Sequence, residues 1–189
     1  MQIFKGLDSI SEFFGKKTQY FRLKSGESRL IRFITPVEEI VSIFEHSEQL
    51  AGGWKNIPCL GKECPLCEVG QKPSLRSYAL IIDREDDTVK VFKMSKTVAQ
   101  QLISLIQEYG DITKRDFKVY RQGEKTNTSY QFFPKDPAPV DLSKYDIPKL
   151  EDIIRFYSKE EIEDLMDGIS TNGFNTANVD PEQDASFPF

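Results

Sequence analysis

No apolar run in the 189 residues approaches the ~20 needed to cross a bilayer. The opening residues, Met1-Gln2-Ile3-Phe4-Lys5, contain no apolar stretch of the secretory kind. These absences predict a cytoplasmic protein with no membrane partner. Cysteine is scarce: three residues, an odd number that argues against a disulfide framework. In a reducing compartment such thiols are more often metal ligands or free. There is no phosphate-binding glycine loop, no nucleophile motif and no internal repeat, so no enzyme is expected. Hydrophobic residues are also sparse, at 39%, against 29% charged. That balance suggests a folded body diluted by a polar part.

Net charge is −5, which would disfavour a nucleic-acid binder if it were evenly spread. It is not. Residues 151–189 hold ten acids and two bases, a net of −8, which leaves +3 for residues 1–150. A mildly basic body followed by an acidic tail is the pattern of a chain with an interaction tail. A solvated acidic helix followed by disorder accounts for part of the same segment.

Short strands dominate the expected elements. Thr18 to Lys24 and Ser28 to Ile34 flank Ser25-Gly26-Glu27 and read as a hairpin. Glu39 to His46 reads as a third strand, followed by a Gly-, Pro- and Cys-rich loop over 47–76. Ser77 to Asp83 and Thr88 to Met94 are two more strands. Ser95 is an N-cap for a helix whose apolar positions run from Val98 to Tyr109 before Gly110. Phe117 to Gln122 and Ser129 to Phe133 form a last hairpin. Pro148 to Tyr157 reads as a short helix, and Ser158 to Glu161 as a capping box opening another. This predicts a mainly β chain with one or two helices, an oligonucleotide-binding barrel with a zinc loop insertion and a flexible acidic tail. The expected divisions are a strand-binding domain over 1–145 including a zinc subdomain at 46–76, a helical acidic segment at 146–168, and a disordered tail at 169–189.

The densest chemical signal is His46-x12-Cys59-x4-Cys64-x2-Cys67, which uses the only histidine and all three cysteines. Three thiolates and one imidazole make a closed tetrahedral shell for one structural Zn2+. Four ligands leave no open position for a catalytic water. A core histidine with three unrelated thiols, or a redox Cys-x-x-Cys pair, are the competing readings. The latter lacks its usual βαβ setting.

Binding of single strands requires aromatic platforms and cations. Candidate DNA contacts are Tyr20, Arg22, Lys24, Arg32, Trp54, Lys55, Arg76, Tyr78, Phe92, Lys93, Tyr120 and Arg121. Trp54 is the leading stacking candidate because it lies in a polar loop beside Lys55. Phe21, Phe33, Phe44 and Phe117 are expected in the core. At the other end, Asp184, Phe187, Pro188 and Phe189 form an acidic, Phe-terminated tip suited to a basic-rimmed apolar pocket on a partner protein.

The ligand spacing within an aromatic-rich β domain, with an acidic C-terminal segment, resembles the zinc-containing helix-destabilising proteins of T-even phages. The tail tip is similar to that of bacterial single-strand-binding proteins. The Cys59–Cys64 gap is shorter than in the T-even protein, and no basic N-terminal arm is evident. The resemblance implies a phage protein acting in the bacterial cytoplasm. It would coat single-stranded DNA in replication, recombination and repair, and recruit replication or recombination proteins through its tail. The alternative is a zinc-stabilised protein-interaction adaptor.

Overall fold

The computed structural model describes residues 19–50, 53–124 and 127–167. The tail contacts expected at Asp184, Phe187, Pro188 and Phe189 lie outside them. Eight strands form one mixed sheet: β1 (Gln19–Tyr20), β2 (Ser28–Phe33), β3 (Val41–Leu50), β4 (Gly53–Pro58), β5 (Ser74–Asp83), β6 (Thr88–Ser95), β7 (Arg115–Gln122) and β8 (Ser129–Pro137). Among the described residues four helices accompany them: α1 (Pro65–Glu68), α2 (Lys96–Tyr109), α3 (Leu150–Ile153) and α4 (Lys159–Met166). No helix among the described residues is long and apolar enough to cross a membrane.

The main strand order is β1-β6-β5-β2-β7-β8, and β3 branches from β5 to carry β4. All pairs are antiparallel except β1 with β6. The ladder does not close among the described residues, but the sheet is strongly curled. Four strand steps separate β6 from β8, about 19 Å in a flat sheet. Yet the rings of Phe92 on β6 and Phe132 on β8 have centroids 6.3 Å apart.

β5 lies at the centre, and both its faces are covered. Its odd positions, Ala79 and Ile81, face inward with Phe33, Phe92, Met94 and Phe117. Its even positions, Tyr78, Leu80 and Ile82, face outward and pack with Leu150 and Ile154 from and beside α3. This two-sided burial explains the unbroken apolar run from Ala79 to Ile82. Helix α2 lies on the inner side, seating Val98 and Leu102 in the core. Its ends are those read from the sequence: the Ser95 side chain accepts from the Val98 amide, and Gly110 takes φ 74° just past the last turn.

Three expectations need correction. Residues 19–24 do not form a hairpin with β2. Gln19 and Tyr20 pair in parallel with Lys90 and Val91, on the free edge of β6. The alternation of the segment was legible, since Phe21 and Leu23 are buried inside. Its partner strand was not, because alternation specifies a face and leaves the neighbour open. Likewise 47–76 is not all loop: β3 and β4 form a long hairpin with Glu48 opposite Lys55 and Gln49 opposite Trp54. Phe44, expected in the core, is 57% exposed. It lies opposite Leu75 at the start of β5, where β3 branches off.

Candidate metal centre and nucleic-acid face

Three backbone segments bring the four predicted ligands together. His46 sits in β3 opposite Ile57 of β4, so the hairpin ladder fixes its height. Cys59 leaves β4 immediately after Pro58, and its amide donates to the Phe44 carbonyl at 2.8 Å. Gly61 adopts φ +73°, a left-handed conformation that returns the chain toward the hairpin. Its amide points back at the Cys59 sulfur, 3.4 Å away. Pro65 then starts α1, and the single helical turn presents both Cys64 and Cys67 to the same point.

The donor atoms of His46, Cys59, Cys64 and Cys67 all lie within 4.8 Å of one another. His46 Nε2 is 3.4 Å from Cys64 Sγ and 3.5 Å from Cys67 Sγ, and the Cys59 and Cys67 sulfurs are 3.6 Å apart. Ligand bonds of zinc length at tetrahedral angles require edges of about 3.6 Å for S–N and about 3.8 Å for S–S. The spacing therefore fits one tetrahedral ion. All three cysteines are free thiols.

The electrostatics fit as well. Burial holds the His46 imidazole below its usual range, which favours the neutral, ligating form. The Cys67 thiol is pushed up to about 12, first by burial and then by the adjacent sulfurs of Cys59 and Cys64. Burial acts on Cys64 in the same direction. The backbone amides of Leu60, Cys67 and Leu66 outweigh it and bring that thiol below its ordinary value. Three sulfurs packed this closely repel one another as thiolates, and a divalent cation at their centre removes the repulsion. His46 Nδ1 is buried without a hydrogen-bond partner among the described residues. Among the described residues no carboxylate or carbonyl orients the ring there, which leaves that role to the ladder.

The knuckle has a small apolar base of its own: Ile57, Cys64 and Leu66, with Ile162 of α4 fully buried against them. Thus the acidic C-terminal segment packs on the metal centre. A capping box starts α4, with the Ser158 hydroxyl accepting from the Glu161 amide at 3.1 Å and the Ser158 amide donating to the Glu161 carboxylate at 2.8 Å.

The predicted DNA contacts divide into three groups. Phe92 and Arg32 belong to the interior. The Phe92 ring stands edge-on to Phe21 at 5.2 Å, and Arg32 is 1% exposed. Its guanidinium pairs with Asp116 at 2.5 Å and donates to the carbonyls of Thr113 and Ala138. Neither side chain meets solvent.

A second group gathers on the outer face around the buried carboxylate of Glu45. The Tyr78 hydroxyl donates to it, and Lys93 pairs with it at 2.8 Å while lying over the Tyr78 ring. Arg76 is buried close by. Tyr20 joins from β1, its phenol held above the usual value by burial and by Glu45, and eased by Arg22. The fold thus brings Tyr20, Arg22, Arg76, Tyr78 and Lys93 together, but about a carboxylate that already engages Tyr78 and Lys93.

The third group has accessible side chains. Lys24 is exposed, and Trp54, Lys55, Tyr120 and Arg121 are half-buried. Trp54 and Lys55 are successive strand residues, so they point to opposite faces of the hairpin. Arg121 is committed to the Leu23 carbonyl and the Thr128 hydroxyl. Phe133, missed in the sequence reading, is 49% exposed directly across from Lys118. The alternation Lys118-Val119-Tyr120 against Gln131-Phe132-Phe133 was the available signal.

In comparisons with known proteins, no family model, no curated protein and no solved structure matches this chain.

Proposed function

We propose that the chain is a single-stranded-DNA-binding protein of phage type, built on an oligonucleotide-binding barrel and stapled by one structural zinc ion. The observation that carries this reading is the strand order. In chain order β2, β5, β6, β7 and β8 form five strands arranged β6-β5-β2-β7-β8, with α2 between the third and fourth. An oligonucleotide-binding barrel has strands and helix in the same order, which supports the reading. Here the seam between β6 and β8 is bridged by Phe92, Tyr130 and Phe132 in place of a hydrogen-bonded ladder. Such barrels hold oligonucleotides with the face of their second and third strands and two connecting loops. The hairpin and metal knuckle fall within the first of those loops, which places Trp54 where a stacking platform is useful. Fold supports this by analogy, and the accessible aromatics supply the chemistry. The acidic tail tip at Asp184, Phe187, Pro188 and Phe189 recruits replication or recombination proteins in this reading.

Titrating the zinc-loaded protein with oligo(dT) while following the fluorescence of its only tryptophan tests the proposal. Quenching that weakens with added salt is expected, because phosphate contacts release counterions. Trp54→Ala should weaken binding by about 1–3 kcal/mol, the value of one base stack. Absence of binding at low salt would falsify the reading. The adaptor alternative draws support from a specific feature: Arg32, Lys90 and Lys93 are each buried in ion pairs, which removes them from any cationic surface. An adaptor would bind partner proteins with no affinity for single strands.

A further inference from the structure

The outer face of the sheet has two unlike halves. Near β5 it is covered: Leu150 and Ile154 pack on Leu80 and Ile82, and the Ala138 carbonyl takes a hydrogen bond from Arg32. Asp116, the one acid on this face of β7, is held there by Arg32 and Arg84. Beyond Asp116 the face is open. Pairing of Leu30 with Lys118, Lys118 with Phe133, and Tyr120 with Gln131 puts these five side chains on one surface, continued by Gln122. Among the described residues no carboxylate interrupts this group.

Its composition matches one ligand chemistry. Phe133 is 49% exposed, and Tyr120 lies one diagonal away from it across the β7–β8 pair. Neither ring stacks on another aromatic among the described residues. Lys118 is exposed and has no ion-pair partner among the described residues, unlike Lys90 and Lys93. Free aromatic faces beside an uncommitted ammonium group suit unstacked bases and the phosphates between them. A duplex cannot offer its base faces. A single strand can.

We propose that this open half of the β2–β7–β8 face is a second strand-binding surface, where bases stack on Tyr120 and Phe133 and phosphates meet Lys118. The inference rests on the single-strand reading above and extends it: the strand would run from the Trp54 hairpin to a separate aromatic step on the far side of the sheet. A short oligomer occupies one surface, and a long one reaches both.

The test uses full-length zinc-loaded protein and end-labelled oligo(dT) of two lengths, followed by anisotropy and by Trp54 fluorescence. Phe133→Ala should weaken the long oligomer about tenfold or more, and Phe133→Leu should do the same while keeping apolar cover. Lys118→Gln should lower the salt-dependence slope by about 0.7. Quenching of Trp54 by the short oligomer should not change in any variant, nor should the melting temperature. If wild-type protein binds both oligomers and these variants match it within twofold, this surface is not a strand site, although the single-strand reading stands. If wild-type protein binds neither, both fail. If the variants lose only self-association in sedimentation, the face is a protein interface and the proposal is wrong.

Discussion

The interior of the curled sheet and the metal knuckle solve the same folding problem with different means. The interior buries thirteen hydrophobic residues in one cluster, including a chain of ring contacts from Phe21 through Phe92 to Phe33 and Phe117. The knuckle buries four, one of which is the ligand Cys64. Each buried aliphatic or aromatic side chain contributes about 1.5–3 kcal/mol. Against the conformational entropy of the segments it orders, the second cluster contributes far less than the first. An ion held by the four ligands would add to it, because its binding energy is folding energy. The contrast teaches that removing the metal and removing a core ring should injure different parts of the molecule.

Metal removal should have the largest effect, and a local one. Chelation, or Cys64→Ser, should abolish binding of one equivalent of zinc. In hydrogen exchange, protection should be lost across 44–70 and 157–167 while β2, β5 and β7 keep theirs. Unfolding of the whole sheet on chelation would break the comparison. Next in size is Phe117→Ala, which leaves a void between Phe33 and Phe132 and should cost about 3–5 kcal/mol. Denaturant unfolding should report that loss globally, with zinc stoichiometry unchanged. Smallest is Ser158→Ala, which removes one cap of the helix seated on the knuckle and should cost about 1 kcal/mol. Exchange in Lys159–Met166 should accelerate while exchange in the sheet does not, sharpening the boundary between the two regions.

The clustering of His46, Cys59, Cys64 and Cys67 was legible because its signal is chemical: four donors of suitable type in one short window, independent of topology. The α2 boundaries were legible for a similar local reason, a serine cap at one end and a left-handed glycine at the other. What the sequence could not convey was non-local. Nothing in Gln19–Tyr20 specifies a parallel neighbour 71 residues away at Lys90 and Val91. Arg32, Tyr78 and Lys93 carry the residue types of a nucleic-acid surface, and only the fold reveals that Asp116 and Glu45 engage them. The β3–β4 hairpin was hidden because its faces are mixed: the ligand His46 shares one with Glu48 and Lys55.

The treatment of the sheet's two outer strands has a consequence for how the protein behaves at high concentration. An exposed strand edge is a template on which another chain can grow. Here Gln19 and Tyr20 occupy the edge of β6, and β8 contains Pro134 and Pro137, which offer no amide hydrogens. Both ends of the main path are thus blunted against edge-to-edge aggregation.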